Sequence, residues 1–250
     1  MTFPQHRRKH LERPLFTADE IHQYAARRRG AAPPRAPENV VFVFGRGWRR
    51  YLGRKYPGTL DRRTDLYRVR PGVAVTVLEG PGAPYAGIAT EELAALGARR
   101  FVIVGIAGSL QPHVRVGGIV LCTRALRDEG TSHHYLPSGR FAKPSPRLTE
   151  DLRRALAREG TPFVAGPTWT IDAPYRETVA EIRRYRSEGI LTVEMEASAV
   201  FAIARLRACE SAAVFVISDH LDDQGWEPRF HDCRRDLRRA LGVVVEALAG

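Results

Sequence analysis

Short apolar runs alternate with amphipathic stretches along most of the 250-residue chain. The apolar runs are rich in β-branched and aromatic residues, a composition that favours buried strands. They predict strands over residues 40–44, 73–78, 100–105, 118–122, 163–168, 189–193 and 212–217. The stretches between them have helical spacing and predict helices over residues 88–97, 148–158, 176–187, 192–207 and 229–248. This alternation predicts one α/β domain in which helices cover both faces of a central sheet.

The first 38 residues differ in pattern from the rest of the chain. They are polar and basic, and they end in the proline-rich sequence AAPPRAPEN. Residues 18–28 have helical character, with Thr17 as the expected cap. The segment also lacks the apolar core of a secretory signal. We therefore expect a basic N-terminal extension over residues 1–38 and a globular domain over residues 39–250.

The net charge of +11 comes almost wholly from arginine, since the chain contains only three lysines. The arginines are dispersed and aromatic residues do not alternate with them, which is typical of a solvated surface. We therefore expect no nucleic-acid partner, and an anionic small substrate fits the charge equally well. No apolar run is long enough to predict a membrane span. Three widely spaced cysteines without a CxxC motif predict a reducing, cytoplasmic location.

Several predicted strands end in loops that are polar or rich in glycine. Ligands of α/β sheets bind beyond the carboxyl ends of the strands. Glycines in such loops let backbone N–H groups approach a ligand closely, although ordinary strand-to-helix turns also contain them. The sequence therefore predicts a crevice formed by the segments GPGAP, GIAGS, TIDAPY, VEME and SDHLDD.

Three acidic residues in these loops are candidates for chemistry. Glu194 and Glu196 lie at the start of an apolar helix, where a carboxylate needs a partner. The vicinal hydroxyls of a sugar could provide two donors, and the alternative is an acidic first turn that favours the helix dipole. Asp219 follows an apolar strand. There it could act as a general acid or simply cap a turn.

Metal binding and serine hydrolysis have weaker support. His133 and His134 are adjacent and would point to different sides of a strand, and neither HxxxH nor CxxC spacing occurs. We therefore expect no metal site. Ser109 follows a glycine, but the GxSxG motif of a nucleophilic serine is absent.

Six motifs occur in a characteristic order: GPGAP followed by TEEL, VGIAGSLQPHVRVGGIV, RDEGTSHHYLP, TIDAPYRE, VEMEASA and ISDHLDD. In this order the chain resembles the nucleoside phosphorylase family from about residue 39 to its C-terminus. That family includes purine nucleoside and uridine phosphorylases and the methylthioadenosine/adenosylhomocysteine nucleosidases. The resemblance implies a single α/β domain around a mixed, partly closed sheet, and a homo-oligomer (dimer or hexamer) with a shared active site. It also implies cleavage of the N-glycosidic bond of a nucleoside without a cofactor.

The resemblance assigns roles to the acidic residues. Glu196 with Met195 matches the family's ribose-binding pair, in which the glutamate binds the 2′ and 3′ hydroxyls, and Glu194 is the preceding acid of that motif. Asp219 matches the aspartate that protonates the purine N7 as the base leaves. Uridine-specific members lack this acid, and the Gln-x-Arg pair that they use for uracil is also absent here. The resemblance therefore implies a purine or purine-like base.

Base-binding residues are expected in the segment before the ribose motif. Tyr175 occupies the position of an aromatic that lines the family's pocket, and Pro174 occupies that of its base-stacking phenylalanine. A proline stacks less well than an aromatic ring. We also include Trp169, from the preceding strand, in the predicted base site.

The phosphate site departs most from the family pattern. Ile103 and Ile106 stand where phosphorylases carry an arginine and a hydroxyl residue that hold the dianion. An apolar pair cannot replace a bidentate, charge-assisted grip. The remaining candidates for binding an anion are Gly45, Arg46, Arg49, Gly82, Gly105 and Ser109.

Three functions therefore stay open. Phosphorolysis to base and pentose 1-phosphate, with phosphate as co-substrate, is the nominal reaction. Hydrolysis by water is the alternative, because the nucleosidases also lack the strand arginine and share the Gly-x-Ala-Gly turn. However, the catalytic glutamate that follows their first strand has no match in VFVFGRGWRR. A non-catalytic module that binds nucleosides is a further alternative.

Overall fold

The computed structural model describes residues 3–6 and 8–250. Its strands are β1 (Asn39–Phe44), β2 (Leu60–Asp61), β3 (Leu66–Arg70), β4 (Val73–Leu78), β5 (Arg100–Ser109), β6 (Ile119–Asp128), β7 (Phe141–Ala142), β8 (Phe163–Ile171), β9 (Thr192–Glu194), β10 (Glu210–Leu221) and β11 (Trp226–Pro228). Its helices are α1 (Ala18–Arg29), α2 (Gly47–Lys55), α3 (Ala83–Ala95), α4 (Pro146–Arg158), α5 (Val179–Ser187), α6 (Ala197–Leu206) and α7 (Arg234–Ala249). Short 3₁₀ turns cover Lys9–Leu11, Thr131–His134 and Pro174–Arg176.

The strands form one mixed sheet that is partly closed. Strand β10 pairs in parallel with β5 on one side and antiparallel with β6 on the other. Strands β6, β8 and β9 then continue in order, and β9 pairs antiparallel with the end of β5. These five strands therefore close into a ring. From β5 the sheet also extends outward through β1, β4, β3 and β2. The predicted α/β domain with a mixed, partly closed sheet is confirmed.

Helices cover both faces of this sheet, as the alternation of strands and helices predicts. Successive strand residues point to opposite faces. Val41 and Val43 of β1 pack in a core cluster with α2, α4 and α7. Val40 and Phe42 pack in a second cluster, with α3 and α6. The buried apolar side chains of these helices thus pack against the sheet.

Helix α2, strand β3 and the short strands β2, β7 and β11 escape the sequence pattern, and several strands are longer than predicted. Helix α2 buries only Trp48 and Leu52 among its arginines, so its apolar signal is weak. Strand β3 has the mixed sequence LYRVR. Strand β5 continues through its glycines to Ser109, because β10 and β9 pair with that end.

The N-terminal segment contains the helix that its sequence predicts. The Thr17 side chain accepts a hydrogen bond from the N–H of Glu20, and the Glu20 carboxylate accepts one from Thr17 in return. Helix α1 packs against α3. The boundary at residue 38 stays a prediction. In the described part of the chain, no helix has both the length and the apolar character needed to cross a bilayer.

The sheet brings the glycine-rich loops to one edge. Strands β1, β4, β5 and β10 run parallel, with Phe44 of β1 beside Leu78 of β4. Their carboxyl ends therefore face the same side, which is where α/β sheets bind ligands.

Candidate active site

Glu194 caps the helix that follows it. One carboxylate oxygen accepts hydrogen bonds from the N–H groups of Glu196 and Ala197, at 2.8 Å each. The other accepts one from the Thr170 hydroxyl, at 2.5 Å. These contacts satisfy backbone donors at the start of α6, which is the helix-start role that the sequence left open. The ribose contact of Glu194 stays a prediction.

Glu196 is buried and is held by the loop that follows β4. Its Oε1 accepts a hydrogen bond from the N–H of Gly82, at 2.6 Å. Gly82 has a φ of 121°, which favours glycine. Burial raises the pKa of the Glu196 carboxyl, and burial together with the charge of Glu196 raises that of Glu194. A carboxylate has about four acceptor positions, so Glu196 can still accept hydroxyl donors.

Asp219 lies in β10 with both oxygens in hydrogen bonds. The Ser218 hydroxyl donates to Oδ1 at 2.5 Å, and the indole N–H of Trp226 donates to Oδ2 at 2.9 Å. The Trp226 side chain is 59% exposed and packs near Phe230, with 6.0 Å between ring centroids. Sequence reasoning missed Trp226, although an aromatic residue inside the polar stretch after Asp219 was a usable signal.

Gly108 brings the two acidic loops together at the end of β5. It pairs with Asp219 of β10 on one side and with Val193 of β9 on the other. A Cβ atom at Gly108 would lie 2.3 Å from Leu221 Cδ1, 3.0 Å from Asp219 Oδ2 and 3.2 Å from Val193 Cγ1. Since Glu196 follows Val193 by three residues, Glu196 and Asp219 share one end of the sheet.

Replacing Gly108 with alanine should therefore disturb both stability and catalysis. Overpacking at such a site lowers the free energy of unfolding by about 1–3 kcal/mol. The same Cβ would displace Asp219, so kcat/KM should fall as well. Urea unfolding and steady-state kinetics measure the two effects.

Gly53→Ala is the matched control for Gly108→Ala. Gly53 lies in α2, and a Cβ atom added there would meet no other atom within 4 Å. The variant should gain about 0.5–1 kcal/mol, because alanine favours a helix. An unchanged unfolding midpoint in Gly108→Ala would contradict the close packing of β5, β9 and β10.

The predicted base-binding residues lie in very different environments. The Tyr175 side chain is 99% exposed, and Pro174 is exposed beside it. Trp169 is 0% exposed; its indole N–H donates to Asp128 at 2.8 Å and its ring packs 4.8 Å from that of Tyr185. Trp169 is thus a core residue, because its position in β8 directs it into the cluster under α5.

The same segment contains an acid that the sequence did not single out. Glu177 is partly buried and follows the turn Pro174–Arg176. Burial, together with the nearby charges of Asp219 and Glu181, raises the pKa of Glu177 to about 7. The loop after β8 therefore borders Asp219.

The predicted anion-binding arginines are already paired with carboxylates. The Arg49 guanidinium donates two hydrogen bonds to Asp65, at 2.8 and 2.7 Å, and one to Glu79, at 2.8 Å. Arg46 lies 3.4 Å from the other oxygen of Glu79. The hydrogen bonds to Asp65 and Glu79 raise the pKa of Arg49. Sequence reasoning did not identify Glu79 or Asp65.

The other candidates for the anion site divide into two groups. Gly45, whose N–H donates to Leu78 at 2.8 Å, lies with the arginines at the ends of β1 and β4, and so does the Gly82 loop. Gly105 and Ser109 are instead buried within β5. The Ser109 hydroxyl donates to the carbonyl of Gln111 at 3.0 Å, so it serves the local turn.

The two isoleucines at the family's phosphate positions are also separated. Ile103 is buried in the core cluster beneath α3 and α6, whereas Ile106 is exposed. Neither side chain offers a hydrogen-bond donor.

A protein family matches this chain in sequence over nearly its whole length. The sequence model of the phosphorylase superfamily matches residues 19–249. The chain belongs to this superfamily. As a phosphorylase-superfamily member it is an enzyme of the pentosyltransferase type, as its motifs predict. The matched region begins inside the N-terminal 38 residues.

Two relatives within the superfamily are named for different nucleosides. The guanosine phosphorylase of Halorubrum lacusprofundi is 31% identical over 216 residues, which is 76% of this chain and 90% of that protein. The uridine phosphorylase of Haemophilus influenzae is 31% identical over 185 residues, covering 67% of this chain and 72% of that protein.

Solved structures agree with this placement in the superfamily. Uridine phosphorylase from Vibrio fischeri has a TM-score of 0.65 at 26% identity, over 84% of this chain and 91% of that one. Purine nucleoside phosphorylase from Toxoplasma gondii, in complex with immucillin-H, has a TM-score of 0.73. Its 20% identity, over 86% of this chain and 91% of that one, supports the fold alone.

Other features of the described chain lie away from this edge. A cavity of about 510 Å³ is lined by Pro37 and residues 68–72, at the amino end of β4 and therefore opposite the acidic loops. Among residues 3–6 and 8–250, no group of three His, Cys, Asp or Glu side chains is placed to hold a metal ion.

Proposed function

We propose that this enzyme cleaves the N-glycosidic bond of a purine nucleoside, with Glu196 binding the ribose and Asp219 protonating the base. The observation that carries the proposal is that Gly108, at the carboxyl end of β5, pairs with Asp219 on one side and with Val193, three residues before Glu196, on the other. Relatives named guanosine phosphorylase and purine nucleoside phosphorylase support a purine as the base. The chemical reason is that a purine has an N7 atom, which Asp219 could protonate.

The chemistry assigns a separate task to each acid. The transition state for cleavage is oxocarbenium-like, so positive charge develops on the ribose. Glu196, fixed through Gly82, would accept the 2′ and 3′ hydroxyls and place its negative charge beside the sugar. The base would leave with the electron pair of the broken bond and take a proton from protonated Asp219 at N7.

Trp226 is our candidate for the aromatic face of the base site. Its exposed ring is anchored to Asp219 by the 2.9 Å hydrogen bond. An aromatic ring at this place could stack on a purine.

Uridine is the second candidate substrate, because several relatives are named uridine phosphorylase. The acceptor also has two candidates. Phosphate follows from the names of the relatives and would give phosphorolysis. Water is favoured because the carboxylates of Glu79 and Asp65 already occupy Arg49, which a phosphate would otherwise bind. Assembly as a homo-oligomer and a cytoplasmic location stay predictions.

A substrate panel tests the proposed function. Purified enzyme is assayed on guanosine, inosine, adenosine and uridine, each with and without phosphate, and free base, pentose and pentose 1-phosphate are quantified by chromatography. We expect kcat/KM for the best purine nucleoside to exceed that for uridine by at least about a hundredfold, since uracil has no N7 for Asp219 to protonate.

Two outcomes would count against this proposal. Faster release of uracil than of any purine would reject the purine assignment. Tight nucleoside binding in calorimetry without release of any base would favour the non-catalytic binding module.

A further inference from the structure

Glu79, directly after β4, connects the paired arginines to the ribose-binding loop. We propose that Glu79 is a catalytic residue that accepts a proton from an attacking water, so that this enzyme is a nucleoside hydrolase. This inference rests on the proposed cleavage at Glu196 and Asp219, and it names water as the acceptor of the pentosyl group.

The sheet places Glu79 against the helix that begins after β1. Phe44 of β1 pairs with Leu78 of β4, and the Gly45 N–H donates to the Leu78 carbonyl at 2.8 Å. Glu79 therefore emerges beside Arg46 and Arg49. Arg49 Nε donates to Oε1 of Glu79 at 2.8 Å, and Arg46 Nε lies 3.4 Å from Oε2. The Glu79 side chain is 39% exposed, so water reaches it.

The same loop holds the ribose-binding acid. Gly82 follows Glu79 by three residues and donates to Glu196 at 2.6 Å. Three residues span at most about 10 Å, so the backbones of Glu79 and Gly82 lie within that distance. A ribose bound to Glu196 would therefore lie beside the loop that begins at Glu79, and the proposal places the attacking water between the ribose and the Glu79 carboxylate.

Charge at this place favours a neutral acceptor. The guanidinium groups of Arg46 and Arg49 are balanced by the carboxylates of Glu79 and Asp65, so the cluster is formally neutral. A phosphate dianion would have to displace Glu79 and would be repelled by it if both stayed. A water meets no such repulsion.

The proposed step conserves atoms and protons. The water oxygen bonds to the anomeric carbon, and the C–N bond breaks with its electron pair moving to the base. Asp219 gives its proton to N7, and Glu79 receives the proton lost by the water. The products are free pentose and free base, and exchange with solvent returns both acids to their starting states. Arg46 and Arg49 act as positioning residues for Glu79.

Substitution of Glu79 tests this role in the full-length enzyme. Glu79→Gln should lower base release in phosphate-free buffer by about 10²–10⁴-fold, the usual contribution of a general base. Glu210→Gln is the matched control, because Glu210 also binds an arginine, Arg100 at 3.0 Å, at the amino ends of β5 and β10. It should stay within about twofold of wild type, since it lies at the opposite edge of the sheet.

Chemical rescue adds a readout that a structural role would not move. In Glu79→Ala, added formate can occupy the place of the lost carboxylate beside Arg46 and Arg49. It should raise the rate of base release by this variant at least tenfold. Circular dichroism confirms that both Glu79 variants fold.

The outcomes separate this inference from the proposed function. Wild-type release that requires phosphate, a Glu79→Gln variant with the wild-type rate, or a folded Glu79→Ala variant that formate does not restore would each overturn the role of Glu79. The cleavage at Glu196 and Asp219 would survive all three. Wild-type enzyme that releases no base from any nucleoside would reject both.

Discussion

Glu196→Gln should lose about a thousandfold in kcat/KM for every nucleoside that the enzyme cleaves, the upper range for loss of one preorganised electrostatic contact. The glutamine carbonyl can keep the bond from the Gly82 N–H, so the loop should stay in place. The amide has no charge to stabilise the oxocarbenium-like sugar, and its NH₂ group donates where the ribose hydroxyls also donate. Steady-state kinetics on the best substrate measures the loss.

The pH profile and the stability distinguish this loss from misfolding. Burial raises the pKa of Glu196, so the rising limb of wild-type kcat/KM should lie above the ordinary range of a glutamate and be absent in the variant. A buried carboxyl with a raised pKa opposes folding once it ionises. This penalty grows as pH rises from the ordinary pKa of a glutamate to the raised pKa of Glu196 in the folded state. Glu196→Gln should therefore unfold at an equal or higher temperature than wild type at pH 8. Unchanged kinetics would reject the ribose contact.

Asp219→Asn should lower kcat/KM by about 10²–10⁴-fold on guanosine or inosine, because the base then leaves without a proton at N7. The variant should cleave 7-methylguanosine at nearly the wild-type rate. The base of that nucleoside is already cationic at N7 and leaves as a neutral group, so it needs no acid. Comparing the two substrates on one variant makes the effect specific to proton transfer.

Asp223→Asn provides the control for charge in the same motif. Asp223 is near Arg183 and Arg186, at 3.4 and 3.8 Å, and takes no part in the proposed proton transfer. Its kcat/KM should change by no more than about twofold, as for other surface ion pairs. Equal losses on guanosine and 7-methylguanosine in Asp219→Asn would show that Asp219 supports the structure without acting as the acid.

The sequence predicts the central strands well. It predicts poorly those helices that have few residues facing the sheet. Runs such as AAVFVI in β10 are apolar on both faces, so their burial follows from composition. Helix α2 has only two buried residues, and its apolar positions Trp48, Tyr51 and Leu52 span little more than one turn, too short a pattern to distinguish it from a basic loop. Its existence depends on contacts with the sheet that are distant in sequence.

The candidate site was predictable where the signal is local. Glu196 and Asp219 follow apolar runs of sequence and stand out there as carboxylates. The pairing of Arg49 was not predictable, because its partners Asp65 and Glu79 lie 16 and 30 residues away and only the fold brings them together. Trp169 shows the reverse error, since its position near a motif says nothing of which side of β8 it faces.

The β10–β11 hairpin has a consequence for how such enzymes diversify. It contains Asp219 and Trp226, whereas Glu196 and Gly82 belong to other segments. In the proposed function, recognition of the leaving group and recognition of the sugar therefore lie on separate stretches of chain. On that assignment, we expect exchange of this one short hairpin to change which heterocycle departs while the preference for the pentose is preserved.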